Sequence, residues 1–200
     1  MASNQNSAVT GETHASYVRV WDPFVRAFHW SLVLTFCVAY LSGDNIRALH
    51  VYAGYVIGGL IALRIIWGII GPRYARFADF VHRPKIVVDY VKSVAYGSAR
   101  RYLGHNPAGG AMIVTLLVML AVTIVFGALT YATVKNPGGP FLALLQGSPR
   151  WLGKFFKQVH EVFANGILAL VLVHIAGVMA ESLLHEENLV RAMITGMKRA

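Results

Sequence analysis

The 200-residue sequence is short of cysteine, of acid and of charge altogether, and each shortage removes a class of protein. Its one cysteine, Cys37, can form no internal disulfide and supply no cysteine-based metal cluster. Only 14% of residues are charged, against about 25% in soluble domains. Apolar residues reach 56%, and mean hydropathy is +0.54. These averages exclude a disordered chain and a conventional water-soluble enzyme. Nine acidic residues face eighteen Lys and Arg, a formal net charge of +9. In a soluble chain that excess would point to nucleic acid. In one this apolar, basic residues sort the loops of a membrane protein, and no nucleic-acid partner is expected. The first twenty residues are polar and contain no apolar leader, so no cleaved signal peptide is expected. No internal repeat or low-complexity tract is evident.

What is present is four long apolar stretches. A hydrocarbon core of about 30 Å takes about 20 helical residues, and the spans 24–43, 48–71, 108–133 and 160–184 meet that length. Asp22-Pro23 stands before the first, Gly71-Pro72 ends the second and Asn106-Pro107 opens the third. The run Asn136-Pro137-Gly138-Gly139-Pro140 follows the third. The expected fold is an all-α, integral-membrane four-helix bundle over residues 21–200, behind a polar segment 1–20, with the first span as an uncleaved anchor.

Charge sets the direction. The N-terminal segment, the 72–107 loop and the C-terminal tail share one side and hold twelve of the eighteen Lys and Arg. The other side holds five: Arg47, Lys135, Arg150, Lys154 and Lys157. Arg64 lies within a span. By the positive-inside rule both termini are cytoplasmic. Residues 86–96 space their apolar side chains helically between charges, as a helix lying along the cytoplasmic surface does. Residues 138–156 read as an interfacial outer segment. Trp21, Trp30, Trp67, Tyr40 and Tyr52 are expected in interfacial belts.

The eight histidines sort by depth. His14, His82 and His185 fall in polar segments and read as solvated. His29, His50, His160 and His174 fall in or at the ends of spans, where an ionisable side chain is a site candidate. A lone one can equally serve an interhelical hydrogen bond. His160 and His174 are fourteen residues apart, which places them on one helix face about 21 Å apart along the axis. His29 enters the first span from the inside, at the depth of His174. His50 enters the second from the outside, at the depth of His160. Zinc would require four ligands at one depth, whereas two stacked pairs of neutral imidazoles suit two bis-histidine haem irons. With no C-x-x-C-H in the chain, such haem is held non-covalently.

Gly54, Gly58, Gly59, Gly166 and Gly177 allow a flat macrocycle to approach the backbone, or serve ordinary helix packing. Arg26 and Arg64 can pair with haem propionates, or snorkel to the interface. His105, before the third span, competes as a ligand. Its Gly104-His105-Asn106-Pro107 setting reads as a loop or cap, so it is assigned to cofactor contact, on a propionate or in a quinone pocket.

At these residues the chain resembles the prokaryotic cytochrome b561 family, related to the b-type cytochrome subunits of nickel–iron hydrogenases and formate dehydrogenases. The likeness runs from Trp21-Asp22-Pro23 through Arg26 to His29-Trp30, then Leu49-His50 with Gly54-Tyr55. It continues with His105-Asn106-Pro107-Ala108-Gly109-Gly110, His160-Glu161 with Asn165, His174-Ile175-Ala176-Gly177, and the stretch from Glu187 to Gly196. In that family the fourth-helix histidines pair with ones on the first and second helices, as the depths require here. The resemblance implies a two-haem carrier in the bacterial inner membrane that exchanges electrons with the quinone pool and a redox partner. That partner is a periplasmic c-type cytochrome or a membrane-bound oxidoreductase. An alternative from the same fold is a superoxide:quinone oxidoreductase, drawing its anion to the basic residues before His160. A third reading is a packing or transport subunit whose histidines are merely hydrogen-bonded.

Overall fold

The computed structural model describes residues 16–43, 45–134 and 137–200. His14, Lys135 and Asn136, weighed above, lie outside them, as does most of the polar segment. Helix starts follow local chemistry. The Asp22 carboxylate accepts from the Phe24 and Val25 amides at 2.9 and 3.1 Å, and Pro23 occupies the first turn, so α1 runs Pro23–Ser42. Helix α2, Arg47–Ile70, stops at Gly71-Pro72. A single 3-10 turn, Arg73–Ala75, leads to α3, Phe77–Phe80, and α4, Pro84–Ala95. The Asn106 side chain accepts from the Gly109 amide at 2.7 Å and opens α5, Pro107–Tyr131. A short α6, Leu142–Leu145, precedes α7, Arg150–Leu184. The Asn188 side chain caps α8, Leu189–Thr195.

The segments flanking the bundle are tied together. Strand β1, Tyr17–Arg19, pairs antiparallel with β2, Met197–Arg199, placing Val18 opposite Lys198. Gly196, in the left-handed region at φ +84°, turns the chain out of α8. Its carbonyl accepts from the amides of both Val20 and Trp21.

Four helices, α1, α2, α5 and α7, are long and apolar enough to cross a membrane. Helix α1 packs chiefly on α2, and α5 on α7, with α2 against α5 as the seam between the pairs. The core along this seam is Ala39, Ala53, Ile57, Ile61, Leu117, Leu120 and Ile167. Backbone approach of α7 to α1 or α2 is sparse, and side chains make the contact, Tyr40 donating to Asn165 Oδ1 at 2.8 Å. Outward, Leu34, Leu41, Ile69, Ile70 and Leu183 are each more than two-thirds exposed. An apolar surface of that extent belongs in lipid. The chain is a multi-pass membrane bundle.

Three expectations need correction. His185, read as solvated, is largely buried, its Nε2 lying 3.3 Å from Glu181 Oε2 one turn earlier. The fourth helix begins ten residues before the expected span, at Arg150 rather than His160. At 35 residues it is about 52 Å long, well beyond the hydrocarbon core. Its added turns stay helical because they pack on the end of α5. Gly153 lies so close to Thr133 that a Cβ there would meet Oγ1 at 2.8 Å, and the Phe155 and Phe156 rings lie 6.5 and 6.0 Å from that of Phe126. Trp21 and Trp67, expected in interfacial belts, turn inward instead. Trp21 is 6% exposed and packs on His105, while the Trp67 indole donates to Asp22 at 3.4 Å. Trp30 and Tyr52 remain exposed.

Candidate functional site

At the end of the bundle away from the termini, His50 of α2 meets His160 of α7. Their ring centroids are 5.8 Å apart and the planes nearly perpendicular, at 84°. His50 Nδ1 lies 2.8 Å from the Ala39 carbonyl on α1, and His160 Nδ1 lies 2.8 Å from the Thr123 carbonyl on α5. A carbonyl can only accept, so Nδ1 carries the proton in each ring and Nε2 is left with its lone pair. Orienting one ring nitrogen on a carbonyl in this way prepares the other for a metal. The interhelical hydrogen bond and the ligand role are therefore compatible. Gly127 makes room for the second ring: a Cβ at that position would lie 2.9 Å from His160 Cε1.

The opposite end collects the other candidates. His174 of α7 lies within electrostatic reach of His29 of α1, and both His174 and Arg64 are within reach of His105. Arg64, 2% exposed on α2, lays its guanidinium over the Phe77 ring at 5.0 Å and lies within electrostatic reach of Asp22. His105 is wedged between Trp21 and Phe80, with centroids 4.5 and 4.6 Å away. Burial, followed by the positive charges of Arg64 and Lys198, pushes its imidazole down to a pKa of about 3, so it is neutral at ordinary pH.

This end is also rich in polar atoms without partners. Among the described residues, His29 Nδ1, Arg64 Nη1, His105 Nδ1 and Arg26 Nε are buried and make no hydrogen bond. Leaving each so costs about 1–3 kcal/mol, and the two guanidinium nitrogens, which can only donate, ask for an acceptor the polypeptide does not provide. Propionate carboxylates beside a bis-imidazole iron are such acceptors. Arg26 is already partly engaged, since its Nη2 donates to the Ile194 carbonyl on α8.

The glycines divide in two. Gly58 faces Ile124 and Gly166 faces Met119, which is helix packing. Gly54, one turn after His50, and Gly177, three residues after His174, face open space, as does Gly59. The open space beside Gly54 and Gly177, each near a span histidine, is compatible with the approach of a flat macrocycle. Among the described residues no three His, Cys, Asp or Glu side chains converge on one point.

Sequence reasoning missed the surroundings of the site nearer the β1–β2 pair. Trp21, Phe77 and Phe80 form the aromatic walls around Arg64 and His105, and Asp22 adds a carboxylate as well as a cap. The one early signal for Gly127 was a glycine standing alone within an apolar span.

Comparison with known proteins adds family context. Residues 20–196 match the family model described as prokaryotic cytochrome b561. The chain is 25% identical to a "Probable Ni/Fe-hydrogenase B-type cytochrome subunit" of Bradyrhizobium diazoefficiens, covering 91% of this chain and 86% of that protein. It is 24% identical to the "Probable Ni/Fe-hydrogenase 1 B-type cytochrome subunit" of Escherichia coli K12, over 90% and 89% respectively. A protein of Azotobacter vinelandii with the first of these names is 23% identical over 90% of this chain and 88% of its own.

Proposed function

The chain belongs to the prokaryotic cytochrome b561 family, and from that membership we propose that it is a di-haem cytochrome carrying electrons across the membrane between the quinone pool and an outer redox partner. Haem b would supply a one-electron iron couple, and ligation by two imidazoles would favour outer-sphere transfer over oxygen activation. His50 and His160 would hold the outer haem, and His29 and His174 the inner one. Arg64 and His105 would serve the inner propionates as donors, with Arg26 at their edge. Quinone is met at the inner end, where a cavity of about 280 Å³ lies against Pro23, Arg26, Trp30 and Ile194.

The observation that carries this reading is the His50–His160 pair. Two imidazoles from different helices lie 5.8 Å apart with both Nδ1 atoms already committed to carbonyls. The curated relatives bear the name of hydrogenase cytochrome subunits, so the partner proposed is a membrane-bound nickel–iron hydrogenase. The long α7 projects toward it, carrying Arg150 and Lys154 beyond the bilayer. The charge asymmetry supports cytoplasmic termini.

Haem retention in purified variants tests the ligand set. His174→Ala is expected to lose one low-spin haem and keep much of the other. His160→Ala is expected to do the converse, and His105→Phe to keep both. Unaltered haem content in the first two contradicts the assignment, and a lost low-spin signal in His105→Phe makes His105 a ligand.

A further inference from the structure

We propose that the groove between α4 and the start of α5 is a binding site for one anionic phospholipid, seating an acyl chain in the groove and the headgroup phosphate on Arg83 and Lys85. The groove has a volume of about 350 Å³ and is lined by His82, Pro84 and Val88 on one side and Ala111, Val114 and Thr115 on the other. Its walls are apolar except for one imidazole and one hydroxyl.

Three faces of α4 explain its shape. Tyr90 is buried, and its hydroxyl donates to Glu181 Oε1 at 3.0 Å, which fixes one face on the bundle. Val88 and Val91, each 51% exposed, form a second face that nothing among the described residues covers. Lys85, Asp89 and Lys92 form the third, and all are exposed. A surface helix with an uncovered apolar stripe beside a cationic one lies at the boundary between acyl chains and headgroups.

Depth agrees with that placement. Helix α5 has 25 residues, about 37 Å, which exceeds the hydrocarbon core by a few ångströms at each end. Ala111, Val114 and Thr115, in its second and third turns, therefore fall just inside the acyl region. His82, Arg83 and Lys85, at the start of α4, fall at headgroup level.

Charge selects the occupant. The connection from Pro72 to Asn106 holds seven Lys and Arg against two acids, Asp79 and Asp89. Asp79 is taken by Arg73, and Asp89 makes only an exposed pair with Lys85 at 3.3 Å, the kind that contributes little and yields to a better anion. Arg83 is exposed and has no ion-pair partner among the described residues. A zwitterionic lipid would bring a like charge to this rim, whereas an anionic one brings only the complement.

The test uses the haem-loaded protein in nanodiscs containing phosphatidylglycerol and phosphatidylcholine, with retained lipid read by native mass spectrometry after extraction. The unaltered protein is expected to keep one phosphatidylglycerol per chain in preference to phosphatidylcholine. The double variant Arg83→Gln, Lys85→Gln is expected to lose roughly fivefold of that preference for each charge removed, with haem content unchanged. Val88→Trp, which fills the groove, is expected to abolish retention of either lipid. Equal retention of the two lipids by the unaltered protein overturns the proposal, as does undiminished preference in the double variant. Should Val88→Trp not fold, the exposed double variant decides alone.

Discussion

A histidine in an apolar span is visible in a sequence because it is costly there; what it does depends on which of its nitrogens is occupied. His50 and His160 spend Nδ1 on carbonyls of neighbouring helices, partners that no side-chain pattern can reveal. The four span histidines were therefore legible as candidates, but their tautomers were not. His105 shows the opposite limit. Its Gly-His-Asn-Pro setting reads as a polar turn, yet Trp21 and Phe80 enclose it from distant parts of the chain. The most exacting residue of the outer site is one without a side chain. Gly127→Ala sets a methyl within 2.9 Å of His160 Cε1, and overpacking of this kind costs about 1–3 kcal/mol. We expect the variant to shift or lose the outer low-spin component in optical and paramagnetic resonance spectra while sparing the inner one. An unchanged outer component would show that His160 does not need that space.

At the scale of elements, punctuation carried much of the reading. Asp22-Pro23, Gly71-Pro72 and Asn106-Pro107 start or stop helices where local chemistry directs. The early start of α7 was hidden because Lys154 and Lys157 dilute the apolar pattern, while the contacts that sustain the helix are with α5. The tail clasp was hidden as well, since its strands are three residues each and lie at opposite ends of the chain. Here Glu187, 9% exposed, bonds Arg101 Nη2 and the nearly buried Lys198 Nζ, both at 3.1 Å. Burial raises the Glu187 pKa, but the Arg101 and Lys198 hydrogen bonds outweigh it and hold the carboxyl below its ordinary value of 4.5. A depressed carboxyl contributes stability that is whole above the unfolded-state pKa and fades as pH falls through the folded one. The clasp is therefore expected to loosen below about pH 4.5, read as protease sensitivity of the C-terminal tail. Glu187→Gln is expected to flatten that acid limb. Glu187→Ala, which leaves the Lys198 ammonium buried, is expected to cost on the order of 3 kcal/mol at neutral pH. A tail equally protected in all three proteins at every pH would remove the clasp from the account.

For the whole molecule, composition said membrane, and the four long helices with their lipid-ready surface agree. The pairing of β1 with β2 brings residues 17–19 and 197–199 to one end of the bundle. Assigning that end to the cytoplasm rests on the charge count, and a C-terminal reporter active only in the cytoplasm is the expected outcome; a reporter active only in the periplasm reverses the topology. What composition could not convey is the asymmetry between the two ends. One carries a histidine pair with its hydrogen bonds made. The other carries buried polar atoms without hydrogen-bond partners, among them His29 Nδ1, Arg64 Nη1, His105 Nδ1 and Arg26 Nε. Two haem environments that differ in this way should differ in potential, because hydrogen bonding and local charge tune a haem iron. The central claim is two haems in one chain, and it is met most directly by the haem-to-protein ratio of the purified protein taken together with its redox titration. The account predicts two b haems per chain, both low-spin, titrating as two resolved one-electron components. A single haem, or none after reconstitution, would contradict it.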